Sequence, residues 1–227
     1  MRDSRRRNGA FTMLELMVVV GILGLLAAAA VPSWRAMVAN NRLRDAASDV
    51  LDAMSTARAR AIASGNHFVV YFNTGINGGN DLCGNALADT NGNPVPILVL
   101  NDSVTENCCI DAGEEVLTLP AATGVDWGVD FAAGPAPGDD DPLNTYTTGA
   151  TFQAGAGAVA EWVAFARDGM PRGFPNLGGG CIDLNELGSG GGAIYINNDR
   201  RDAAVVLSPL GSLRVHHFER AGAAWND

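Results

Sequence analysis

The sequence predicts an α+β chain: one long N-terminal helix, apolar in its first half and amphipathic in its second, packed on antiparallel β-sheets. Three observations predict it. Residues Leu16 to Val31 form a run without charge, LMVVVGILGLLAAAAV. Apolar residues then recur at three- and four-residue steps as far as Ile62, which is the period of a helix. Beyond Gly65 the period shortens to that of strands, with Gly, Asn, Asp and Pro in the gaps. The 227 residues suffice for one domain of ordinary size and an appendage.

Composition narrows the function classes. Hydrophobic residues make up 47% and charged residues 18%, which excludes a disordered polyelectrolyte and allows a core. The net charge is −10, from 25 acids against 15 bases, and every base is Arg. So acidic a chain is a poor general binder of nucleic acid, because affinity for phosphate comes from clustered positive charge. The charges are also segregated. Arg2, Arg5, Arg6 and Arg7 open the chain, and Arg35, Arg42, Arg44, Arg58 and Arg60 follow the apolar run. No further base appears until Arg167. A basic stem therefore precedes an acidic body.

The helix is expected over about 12–64, with Pro32 inside it and Gly65 as its stop. Leu43, Ala47, Val50, Leu51, Met54, Ala57, Ala61 and Ile62 give it an apolar stripe that docks on the body. Arg42, Asp45 and Asp49 lie within helical-neighbour reach on another face. Strands are expected at 67–72, 97–100, 115–119, 161–166, 192–196, 203–207 and 212–218, joined by short connections. Segments 73–95 and 132–150 read as surface loops.

The uncharged run alone is slightly short for a spanning helix; counted from Phe11 it is long enough, but then it contains Glu15. An ionisable group there is costly and marks a function. Neither a secretory signal, cut near Ala28 and Ala30, nor a plain anchor accounts for Glu15. The stretch Gly9-Ala10-Phe11-Thr12-Met13-Leu14-Glu15-Leu16 resembles the cleavage and methylation motif of type IV prepilins and type II secretion pseudopilins. The resemblance implies cleavage after Ala10 and a mature chain that begins with N-methylated Phe11, with Glu15 fifth. Ala10 departs from the family's usual Gly. Pro32 matches the proline that commonly follows the apolar half.

The organisation implied is a leader at 1–10, a transmembrane or filament-core half-helix at 11–32, an amphipathic half at 33–64 and an extracytoplasmic β-rich domain at 65–227. Removal of four Arg and one Asp with the leader leaves 11 bases and 24 acids, a net −13. The expected location is the bacterial inner membrane, single-pass with a cytoplasmic N-terminus, the body being periplasmic or in an extracellular filament. The expected partners are other pilins through the N-terminal helix, the prepilin peptidase and the inner-membrane assembly platform. Glu15 would meet the Phe11 amine of a neighbouring subunit, offsetting the burial of both charges.

The body is also similar to the FimT/GspH-like minor pilins and minor pseudopilins. That likeness rests on NNRLRDAASDVLDAMSTARARAIASGNHFVVYF, VAFARDGMPRG, GGAIYINNDRRDAAVVLSPLGSLRVHHFE and Trp225. The expected function is thus a structural and assembly subunit of a type IV pilus or type II secretion pseudopilus. The alternative is a DNA-capturing minor pilin, since some members carry a G-R-x-R-like turn. Here it reads Gly211-Ser212-Leu213-Arg214, with Ser212 in place of the first Arg. Arg200, Arg201 and Arg220 are the other candidate DNA contacts.

Four cysteines, Cys83, Cys108, Cys109 and Cys181, allow three connectivities. A bridge between adjacent Cys108 and Cys109 is strained, which favours Cys83 with one of them and Cys181 with the other. Asp89-Thr90-Asn91-Gly92-Asn93 begins like a calcium loop through Asp89, Asn91 and Asn93. Pro94 then stands where Gly is needed and Leu100 where the bidentate Glu belongs. A polar turn is the favoured reading, and no cofactor is expected. No enzyme is expected either. His67, His216 and His217 have no nucleophile motif nearby, Gly188-Ser189-Gly190 is no nucleophile elbow, and Gly178-Gly179-Gly180 lacks the lysine of a P-loop.

Overall fold

A computed structural model of the chain describes residues 12–120, 122–154, 158–173 and 190–226. Helix α1 is Met13–Ser64. The chain divides into two units, Met1–Ala39 and Asn40–Asp227.

In the first unit the described residues are helical from Met13, and the large apolar side chains Leu14, Leu16, Met17, Val18, Leu23 and Leu25 are exposed. The segment is long and apolar enough to cross a membrane. Its 13–39 stretch rises about 40 Å at 1.5 Å per residue, against roughly 30 Å of hydrocarbon. Pro32 lies inside it and removes one backbone donor.

In the second unit the helix buries Leu43, Ala46, Ala47, Val50, Ala53, Met54, Ala57 and Ala61. Five of these eight are Ala, so strands can approach the helix axis closely. The helix stops at Gly65, whose φ is +70° and whose N–H donates to the Ala61 carbonyl at 2.9 Å. A residue without Cβ takes that left-handed conformation at little cost.

Two antiparallel sheets follow. The strands are β1 His67–Phe72, β2 Ile97–Asp102, β3 Glu115–Leu119, β4 Asp126–Trp127, β5 Phe152–Ala154, β6 Ala158–Ala160, β7 Trp162–Phe165, β8 Pro171–Arg172, β9 Gly192–Asn197, β10 Asp202–Leu207, β11 Leu213–Glu219 and β12 Ala224–Asn226. The first sheet runs β3-β2-β1-β7-β8 and the second β12-β11-β10-β9-β4, while β5 and β6 form a separate pair. In the second sheet Val205 faces Ile194 on one side and Val215 on the other. Side chains alternate between faces. Ile194, Ile196, Ala203, Val205 and Leu207 join the helix residues in the main core. Ala193, Tyr195, Ala204 and Val206 form a second core on the opposite face.

That second face corrects one expectation. Segment 132–150 is not a surface loop. It lies over the second sheet and buries Ala136, Asp139, Asp141 and Tyr146. The acids that made it read as exposed are its fasteners. Asp202, fully buried, accepts the N–H groups of Asp130, Phe131 and Ala132 at 3.0, 2.8 and 2.7 Å. Asp139 accepts the Tyr195 hydroxyl at 2.6 Å, and that hydroxyl accepts the Ala136 N–H at 2.8 Å. Trp225 donates to the Gly134 carbonyl at 3.1 Å. The first sheet is treated alike. Buried Glu161 accepts the N–H groups of Ile76 and Asn77 at 2.8 and 2.7 Å. Asp102 accepts those of Asn107 and Cys108 at 3.1 and 2.8 Å.

Asp202→Asn keeps the shape but halves the acceptor capacity and removes the charge. It should cost about 3 kcal/mol of stability, the scale of charge-assisted bonds, measured by urea unfolding. Asp140→Asn, an exposed site, should change it by less than about 0.5 kcal/mol. For Asp102, burial pushes the carboxyl up to about 6. The fold then binds that proton more tightly than the unfolded chain does, so this group's contribution to stability rises as pH falls from above 6 towards 4. Burial holds His67 and His217 below the usual imidazole range, and these oppose it as pH falls below about 6.5. The measurement is therefore a difference: Asp102→Asn should lose the stabilisation gained by wild type between pH 6.5 and 5.

Candidate functional site

Two regions matter, the start of α1 and the basic residues of the body. Ala10 and Phe11 lie outside the described residues. Glu15 stands in the first turn of α1, with Thr12 just ahead of the helix. The Glu15 N–H donates to Thr12 Oγ1 at 3.2 Å, and the Thr12 N–H lies 3.4 Å from Glu15 Oε2. The Leu16 N–H donates to the Thr12 carbonyl at 3.2 Å. This is a capping box: the reciprocal bonds satisfy donors that a helix start leaves orphaned. The helix dipole also favours a carboxylate there. Thr-x-x-Glu announces such a box in the sequence. After it, no charge occurs before Arg35, so Glu15 is an isolated anion at one end of an apolar segment.

The structure does not bring the four candidate DNA contacts together. Arg200 and Arg201 sit in the β9–β10 turn, where both N–H groups donate to Asn198 Oδ1 at 3.2 and 3.0 Å. Arg220 follows β11 at that same end, its guanidinium 4.4 Å from the Phe131 ring centroid. Arg214 pairs with Val206 near the other end of β10. Val206 lies five residue steps along the chain from Arg201, about 17 Å. Beside Arg214, the Gly211 carbonyl accepts Arg58 Nη1 at 2.6 Å. His216, between these ends on β11, is buried, while His217 is half-buried.

The turn at Gly211 belongs to a motif used three times: Asp81-x-x-Gly84-Asn85, Asp89-x-x-Gly92-Asn93 and Ser208-x-x-Gly211-Ser212. In each, the first residue's N–H donates to the fifth's carbonyl, at 2.8, 2.8 and 2.9 Å. The fifth's N–H donates to the first's side-chain oxygen, at 2.7, 2.8 and 3.0 Å. The glycines have φ of +88°, +83° and +84°, the left-handed position of a three-residue hairpin connection. Ser212 therefore closes a turn and stands outside β11. Asp89, with Asn91 and Asn93, serves the same geometry: Oδ1 accepts both Asn N–H groups at 2.8 Å and Oδ2 accepts Asn93 Nδ2 at 3.1 Å. The repeated D-x-x-G-N spacing is visible in the sequence, and the second repeat is the polar turn expected there. Among the described residues no group of three His, Cys, Asp or Glu is placed to hold a metal.

Cys83 is bonded to Cys109, 26 positions further along the sequence, with Cα atoms 5.8 Å apart. Closing such a loop contributes about 3 kcal/mol in the chain-entropy model. Cys108 is disulfide-bonded too, and Cys181 lies outside the described residues. Asp81 reinforces the link, accepting the N–H groups of Cys83 and Ile110 at 2.9 and 2.8 Å.

One comparison with known proteins falls at the N-terminus. Residues 5–31 match the family described as the prokaryotic N-terminal methylation motif. Two proteins of Pseudomonas aeruginosa, each named fimbrial protein, are 42% identical to this chain over 59 residues. That stretch is 26% of this chain and 38% of either relative, so the match spans well under half of both. No solved structure matches. A methylation motif at 5–31, a partial fimbrial match and one long helix leading into antiparallel sheets together support a type IV pilin-family protein.

Proposed function

We propose that the chain is a minor pilin or minor pseudopilin, a structural and assembly subunit of an inner-membrane-rooted filament, of a type IV pilus or a type II secretion system. One observation carries the reading: Glu15 is a lone carboxylate at the mouth of an apolar helix, at a fixed four-residue step from Phe11. In this reading the prepilin peptidase cuts after Ala10 and the new Phe11 amine is methylated. Arg5 to Arg7 keep the leader cytoplasmic. The body lies across the membrane, where the Cys83–Cys109 bond persists.

In a bundle of such helices, Glu15 receives the Phe11 amine of a neighbour. The pair offsets part of the cost of burying each charge, and it fixes axial register because a misplaced neighbour leaves both unpaired. The capping box holds the carboxylate at the helix mouth until that amine arrives. The assembly platform and the other pilins are the partners; no catalysis is involved. DNA capture is the weaker alternative, since Arg214 stands apart from Arg200, Arg201 and Arg220, and the processed chain carries −13.

The test separates processing from assembly. In Glu15→Val, leader removal should proceed as in wild type, read by the mass of the membrane-bound chain. Its amount in sheared filaments should fall at least about tenfold, the effect of roughly 1.4 kcal/mol in pairing. Glu15→Asp should recover part of the loss. Normal incorporation of Glu15→Val would contradict the reading.

A further inference from the structure

In the second unit, α1 separates two flanks that differ in charge. At 100° per residue, Asp45, Asp49 and Asp52 fall on one side of the buried stripe through Ala46, Val50 and Ala53, together with Arg42 and Arg60, and Arg44 and Arg58 fall on the other. On the acidic side Asp49 stands at a cleft of about 180 Å³, with Val50, Pro96, Pro120, Asp126 and Trp127 among its walls. The cleft is apolar within and carries two carboxylates and one indole ring.

The two arginines of that side bond elsewhere, Arg60 with Glu115 at 2.6 Å. Asp45, Asp49, Asp52 and Asp126 make no ion pair among the described residues. Arg42, within reach of Asp45, is turned instead onto the Thr123 carbonyl at 3.3 Å. Burial first, then Asp52 and Asp45, push the Asp49 carboxyl up. On the other flank the excess has the opposite sign. Burial first, then Arg44 of the helix and Arg201 of the β9–β10 turn, hold the His217 imidazole down. Arg44, Arg200 and Arg201 are exposed and make no ion pair among the described residues.

We propose that the cleft is a contact between copies of this chain, filled by an arginine from the Arg44–Arg200–Arg201 flank of a second copy. The chemistry selects that side chain. A guanidinium is planar and weakly hydrated, it pairs with carboxylates in a fork, and it stacks on an indole. Its three-carbon stem suits the apolar walls. Donor and acceptor flanks differ, so the contact is heterologous. Each copy keeps one unused flank, and repetition gives a ring or an open helical array. The inference rests on the subunit reading for its setting, while the contact itself is measurable outside any filament.

The test uses the full chain in detergent micelles, with a photoreactive benzoylphenylalanine in place of Pro120. Isotope-labelled and unlabelled copies are mixed so that crosslinks between copies are distinguished. Crosslinks should map to peptides containing Arg44 or Arg200–Arg201. Asp126→Arg should lower the dimer yield about tenfold by placing like charges together, and so should Arg201→Asp. Mixing the two variants pairs the exchanged charges and should restore at least half the yield, an outcome that misfolded variants cannot give. Unchanged yield in Asp126→Arg, or crosslinks to another region of the chain or to detergent, would overturn the proposal. A Glu15→Val chain that crosslinks normally but stays out of filaments keeps the two claims separable.

Discussion

A loop can lie buried on a sheet only if its backbone N–H groups find acceptors. In this body the acceptors are carboxylates. Asp202 takes three successive N–H groups of segment 130–132, Glu161 takes two of segment 76–77, and Asp102 takes two of segment 107–108. Each charge is desolvated, and each is offset by short bonds from the segment that it fixes. Without them the second core, of Ala136, Tyr146, Ala193, Tyr195, Ala204 and Val206, would be open to water. The acidic composition is therefore partly internal architecture. It contributes to solubility as well, through the acids that remain outside.

This arrangement bears on function through what it leaves free. The body has many acids engaged with its own backbone, so the exposed, unpaired charges fall into a few places. The acidic flank of α1 and the arginines beyond its other flank are two of them. A subunit that must meet neighbours repeatedly needs such places to be distinct and complementary, because self-complementary patches close into dimers. The N-terminal unit follows the same logic among apolar residues. Its apolar residues are exposed, and the single carboxylate among them is held at the helix mouth by Thr12.

Much of this was legible in the sequence. The helix ends where Gly65 predicts, and the seven expected strands appear within two residues of their observed limits. Their alternating β-branched and aromatic residues carry a strong signal. Short β4, β5, β6, β8 and β12 were not legible, because two or three residues show no period. Segment 132–150 was misread because Asp139 and Asp141 look alike whether solvated or buried; only the fold brings Tyr195 to one and the Thr145 and Tyr146 N–H groups to the other. At the N-terminus the capping bonds between Thr12 and Glu15 are spelled out by Thr-x-x-Glu. The basic residues were grouped by closeness in sequence, and the register of β10 against β11 separates Arg214 from the rest.

The pairing of Glu15 with a neighbour's amine depends on where the mature chain begins. Intact mass and N-terminal sequencing of the membrane-bound protein, from cells with an active prepilin peptidase, test that directly. The account predicts a chain starting at N-methylated Phe11, which puts Glu15 fifth beside a charged secondary amine. A chain that starts beyond Ala28 or Ala30, or one that retains Met1 or the basic leader, would contradict it.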